Sequence, residues 1–172
     1  MSDFKVSYLR IRRRVEELLR GLKAPPVDVF AIARGLGAEV RVLDLAPDVS
    51  GILYRDGARK VIVVNTRHSD VRQRFTVSHE IAHLMLHKGD PVHVDEGFRI
   101  NLRDPRAATA EDVEEIEANA FAANLLMPAE WLKADLGGET FDLQDEAEID
   151  RLSRRYGVSP QAMIFRLTSL FH

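Results

Sequence analysis

His79-Glu80-Ile81-Ala82-His83 stands inside an apolar run from Phe75 to His87, and this pattern constrains the chain more than any other stretch. Residues four apart on an α-helix lie about 40° apart around the axis and about 6 Å along it. His79 and His83 therefore share a face and can grip one ion. Glu80, one residue on, is placed to reach a water activated there. Two imidazoles and an adjacent carboxylate in this order match a zinc helix with a glutamate general base.

Such a site needs a third protein donor. The acidic, alanine-rich stretch from Glu114 to Met127 offers it. Ile116, Ala120, Phe121, Ala123 and Leu125 recur at helical spacing, and Pro128 stops the run. Glu115 and Asn119 are four apart and share a face. A carboxylate on the metal with an amide one turn later is chemically sensible, because Asn119 can bond the free ring nitrogen of a zinc histidine and fix its tautomer. Glu114 and Glu117 are rivals for the ligand role. Glu111, Asp112 and Glu114 also suit the positive end of a helix dipole.

The run Arg72 to His87, followed by Glu115, Ala118, Asn119, Phe121 and Leu125-Leu126-Met127-Pro128, resembles the ImmA/IrrE family of gluzincin-like metallopeptidases. The likeness extends through Pro26 to Gly37, Val61 to Asn65 and Tyr156 to Met163, roughly residues 24 to 170. It implies His79, His83 and Glu115 as zinc ligands and Glu80 as the catalytic base. It also implies a protein substrate, often a helix-turn-helix repressor or antitoxin-type regulator, cut in a stress, mobile-element or toxin-antitoxin response.

At 172 residues the chain is long enough for a real core. A net charge of −3 gives no global pull towards nucleic acid or anionic membrane. Cysteine is absent, so any metal must be held by histidine and carboxylate. The first thirty residues mix charge with apolar positions, so neither a leader nor a membrane span is expected, and the default is a cytoplasmic protein.

Element by element, residues 4–22 and 27–36 read as helices separated by Pro25-Pro26. Residues 39–45, 51–54 and 60–65 read as strands, the last two joined by a hairpin at Asp56-Gly57. Residues 70–87 and 111–126 are the ligand-bearing helices. The expected class is α+β: a small, mainly antiparallel sheet of about three strands on a zincin-like helical core. Residues 1–135 would form the metallopeptidase unit. Residues 139–172 would form a helical subdomain packed on it, with helices over 145–156 and 160–170.

That last pair, with Gly157-Val158-Ser159 between its helices, resembles a helix-turn-helix. Arg151, Arg154, Arg155 and Arg166 add positive charge, yet the second helix offers few base-reading side chains, so packing is favoured over DNA contact. His87 reads as support for His83 or as helix-end packing. His68 and His93 are both candidates to steady an oxyanion. An extended substrate could pair with an exposed sheet edge at Val61 to Asn65, and residues 89–110 are a candidate gate. The competing function is a metal-binding regulatory module without turnover, which binds a repressor or toxin partner, or DNA.

Overall fold

The computed structural model describes residues 5–96, 109–137, 142 and 144–171. In chain order these form α1 (Tyr8–Leu19), α2 (Val29–Gly35), β1 (Ala38–Leu43), β2 (Gly51–Asp56), β3 (Arg59–Asn65), α3 (Asp70–Leu86), β4 (Val92–Asp95), α4 (Ala110–Leu126), α5 (Ala129–Asp135), α6 (Glu146–Tyr156) and α7 (Pro160–Phe171). The class is α+β, as the patterning implies.

The sheet has four strands rather than three, in the order β1-β3-β2-β4. β2 and β3 form the antiparallel hairpin, β1 runs parallel to β3, and β4 adds antiparallel to β2. β4 escapes a sequence reading because it is only four residues long, too short for alternation to stand out. The strand order overturns one expectation, and β4 reshapes another. Val61 to Asn65 belongs to β3, which has a neighbour on each side, so it offers no open edge to a substrate strand. Of the candidate gate, residues 92–95 are this edge strand, and residues 97–108 lie outside the described residues.

One face of the sheet packs on α3. Leu53, Ile62 and Val64 are wholly buried there with Val77 and Ile81 of the helix. Gly51 marks the closest approach. A side-chain methyl on it would fall 2.5 Å from Thr76 Cγ2 and 3.4 Å from Glu80 Oε1. α4 lies against the other side of α3, contributing Ala118, Phe121 and Leu125 to the same core. At about 1.5–3 kcal/mol for each large apolar side chain withdrawn from water, this burial is the main force holding the layers.

The helix ends follow local chemistry. Thr109 and Asp112 form a reciprocal capping box that starts α4, and the Asp28 side chain accepts from Ala31 N to start α2. Pro128 ends α4 but also opens α5, a short helix that the sequence reading missed by treating the proline only as a stop. Gly157, at φ 64°, caps α6 in the left-handed region and turns the chain into α7. α7 buries Met163 and Leu167 in the common core, and Arg166 bonds Met127 O at the end of α4. Among the described residues, no helix is long and apolar enough to cross a membrane.

Candidate metal centre

Every residue of α3 from Thr76 to His83 is buried, so the polar face of this helix is enclosed by protein rather than turned to solvent. The sheet covers one side and α4 the other. Three donors converge in that enclosure. His79 Nε2 and His83 Nε2 are 3.1 Å apart, and Glu115 of α4 reaches them with Oε2 at 3.2 Å and Oε1 at 3.1 Å respectively. His79, His83 and Glu115 thus form a set whose ligand atoms all lie within 4.8 Å of one another.

The far nitrogens of both rings are tied down. His79 Nδ1 is 3.0 Å from Asn119 Oδ1. An amide oxygen only accepts, so Nδ1 carries the proton and Nε2 presents its lone pair to the cluster. Asn119 therefore sits where the i, i+4 spacing from Glu115 puts it. His83 Nδ1 is 3.0 Å from His87 Nδ1, and His87 Nε2 is 3.0 Å from Glu117 Oε2. Glu117 also accepts from Ser7 N at 2.8 Å and from Arg10 Nη2 at 2.6 Å. The carboxylate takes the proton of His87 Nε2, so His87 Nδ1 accepts from His83 Nδ1, and His83 Nε2 is left free to ligate.

The three rival glutamates make different contacts. Glu117 points away from the cluster and anchors His87. Glu114 belongs to a second possible set with His83 and His87, but this set draws on nitrogens already used in the His83–His87–Glu117 chain. Glu115 meets the two free Nε2 atoms.

Glu80 is completely buried. Its Oε2 lies 3.3 Å from His93 Nδ1, while Oε1 is buried with no hydrogen-bond partner among the described residues. A buried carboxylate oxygen left bare is costly in a purely structural role. Burial pushes the Glu80 pKa up, with His93 and His79 pulling against it. His93, carried by the edge strand β4, bridges the two carboxylates, with Nε2 3.0 Å from Glu115 Oε1. Of the two loop histidines weighed from the sequence, His93 and not His68 reaches the cluster.

The fold search finds the same architecture elsewhere. A Mycobacterium tuberculosis transcriptional regulator matches 93% of this chain and 46% of its own length, with a TM-score of 0.64 and 20% identity, a likeness of fold alone. The model of the IrrE N-terminal-like domain, a peptidase family, matches residues 33–168. The chain belongs to this IrrE N-terminal-like family.

Two similar proteins frame the family. The radiation response metalloprotease IrrE of Deinococcus radiodurans is 32% identical over 156 residues, covering 81% of this chain and 42% of IrrE. The uncharacterized immunity region protein 2 of Bacillus phage phi105 is 28% identical over 142 residues, 81% of this chain and 82% of that protein. The chain therefore aligns with less than half the length of IrrE but with most of the phage protein. Family membership makes a metal ion at the His79–His83–Glu115 cluster the natural reading of its geometry.

Burial raises the Glu115 carboxyl, but the imidazoles of His79, His83 and His93 set against it outweigh that and hold the group well below the usual carboxylate range. Burial pushes His83 down to about 4, so its ring is neutral and able to ligate near neutral pH. Burial also works to lower His93, but Glu115 and Glu80 take it up to about 10.

Sequence reasoning missed two supports of the family's site. Arg55 of β2 donates through Nη1 to His83 O at 2.7 Å and His87 O at 2.9 Å. It thereby fastens the negative end of α3 to the sheet. Glu117 is the other. Both act across long sequence separations, and no local spacing signals them.

Proposed function

We propose that this protein is a zinc-dependent endopeptidase of the cytoplasm that cuts a helix-turn-helix repressor or antitoxin-type regulator. The observation that carries this reading is the bare, buried Oε1 of Glu80 beside a three-donor cluster. A structural zinc site usually closes its shell with four protein ligands and has no use for an unpaired carboxylate. The His79, His83 and Glu115 atoms suit a borderline-soft divalent ion, and Asn119 and His87 orient the two imidazoles towards it. When bound, that ion would supply Lewis acidity, polarising a peptide carbonyl and lowering the pKa of a water.

The chain's own residues supply the rest. Glu80 takes a proton from the attacking water as its oxygen bonds the carbonyl carbon. Glu80 then returns the proton to the nitrogen as the C–N bond breaks. Its burial-raised pKa suits both transfers. His93, held between Glu80 and Glu115, is placed to donate to developing negative charge on the carbonyl oxygen. On this reading the unit expected over residues 1–135 carries the machinery, and α6 and α7, within the subdomain expected over 139–172, pack on it rather than read DNA. Arg155 is paired with Asp135, and Arg166 is buried against Met127 O and Asn124.

The test is cleavage of helix-turn-helix regulators from the same organism, with wild type and Glu80→Gln, each with zinc or with chelator. Zinc-dependent cutting that vanishes in Glu80→Gln is expected. Equal cutting by the mutant would sink the role given to Glu80. Stable binding by both proteins without cutting would favour the second reading, a metal-binding regulatory module without turnover, which the likeness to a phage immunity region protein supports.

A further inference from the structure

A groove of about 1260 Å³ runs between α1, the first turns of α3, the outer face of α4 and α7. One of its lining residues, Asn119, also holds His79 from behind the metal centre. Its character is unlike that of the centre. The exposed rings of Tyr8 and Phe165, 64% and 59% accessible, stand with Leu9 at its rim. Among the described residues that line it are three arginines, Arg12, Arg72 and Arg166, and no aspartate or glutamate.

Arg166 is the unusual member. It is only 9% exposed, yet its partners are neutral: Nε donates to Met127 O at 3.0 Å and Nη2 to Asn124 Oδ1 at 2.9 Å. Buried guanidinium groups are ordinarily matched by a carboxylate. Arg72 donates to Ser50 Oγ, again a neutral partner, and Arg12 meets Glu16 at 3.5 Å with both side chains largely in solvent. An apolar groove with an uncompensated cation in its wall calls for a ligand that brings apolar side chains and negative charge together.

We propose that this groove is the docking site for an amphipathic, acidic segment of the protein substrate, with a carboxylate of that segment on Arg166 and its apolar residues against Phe165, Leu9 and Tyr8. The inference rests on the peptidase reading for the word substrate, but the binding itself is independent of turnover. Because Asn119 of its lining also holds His79, a segment seated here would keep the substrate near the metal centre. The peptidase would then select a substrate by what flanks the cut bond, not only by the residues at it.

The test uses full-length Glu80→Gln protein and two fluorescein-labelled helical peptides. Both carry leucine and phenylalanine at i, i+4 and i+7. They differ only in bearing glutamates or glutamines beside them. Fluorescence anisotropy should show the glutamate peptide binding about tenfold more tightly, a 1.4 kcal/mol preference, that weakens with salt. Phe165→Ala, at an exposed position, should weaken both peptides several-fold, and Arg166→Gln should abolish the preference. If Arg166→Gln fails to fold by circular dichroism, the exposed double variant Arg12→Gln/Arg72→Gln carries the same readout, as a reduced preference. Equal affinity for the two peptides, or indifference to Phe165→Ala, overturns the proposal. So does a concentration-dependent dimer that Phe165→Ala dissolves, or a DNA duplex whose binding is lost in the double arginine variant. Peptide preference without cleavage of any regulator by the wild type would leave the docking site standing and remove the peptidase reading instead.

Discussion

The two sides of α4 solve the problem of buried polarity in opposite ways. Towards α3 and α1, charge is closed on itself: Glu115 meets three histidines, and Glu117 meets His87, Arg10 and the Ser7 amide. Towards α7, Arg166 is enclosed, among the described residues, with neutral oxygens only. The difference teaches where to look for what is missing. In the centre the open valence belongs to Glu80 Oε1 and the paired Nε2 atoms, which suits an ion and a water. In the groove it is a cation without a counter-charge, which suits an anionic partner.

The largest effect that sharpens this contrast is on chemistry. Glu80→Gln should lower the cleavage rate by about 10²–10⁴-fold while zinc content, measured by mass spectrometry, stays at that of the wild type. Retained activity would break the assignment of the bare oxygen. Next comes the closed network. His87→Ala should weaken zinc retention about 10–100-fold in a chelator competition, although His87 is not a ligand, and unchanged retention would show that the back-bonded chain carries no weight. Gly51→Ala tests the packing between sheet and base. The added methyl meets Thr76, and an overpacked site of this kind costs about 1–3 kcal/mol in denaturant unfolding.

A smaller effect is expected where α5 meets α6, at Asp135, which accepts from Arg155 and from Tyr156 Oη at 2.8 Å. Burial raises the Asp135 pKa, but these donors hold it below its ordinary 3.8. A depressed carboxyl pKa gives stability that is present above the ordinary value and lost as pH falls through the folded one. Asp135→Asn should thus cost about 1 kcal/mol at neutral pH, the half-exposed Arg155 keeping the figure modest. The gap from wild type should close below about pH 4 in urea titrations; a gap that persists there would remove the ionic account. Smallest of all, Phe165→Ala should shift stability by no more than about 0.5 kcal/mol, as expected of a side chain exposed to solvent. A larger loss would mean that the groove is structural.

Much of the centre was legible because its logic is local. His79 and His83, and likewise Glu115 and Asn119, obey the four-residue repeat of a helix, and the structure brings all four together with Glu80 between sheet and helix. What stayed hidden depends on distance along the chain. Nothing near Glu117 marks it as a partner of Ser7, 110 residues away. His93 could not be separated from His68 until β4 was seen to add beside β2. β3 reads like any hydrophobic strand, and only the order of the sheet tells that it is interior. The groove belongs to the same class, since α1, α4 and α7 each look amphipathic alone and only their meeting leaves Arg166 without a counter-charge.

The tie between Glu117 and the first turn of α1 bears on where this protein can be cut. The family match begins at residue 33, yet the carboxylate behind His87 is held by Ser7 and Arg10. A fragment trimmed to the family boundary would keep His79, Glu80, His83 and Glu115, but would lose two of the three groups that hold Glu117. On the metal-centre reading proposed above, such a fragment would leak metal for want of a helix that lies outside the cluster, and its weakness would be misread as a property of the cluster.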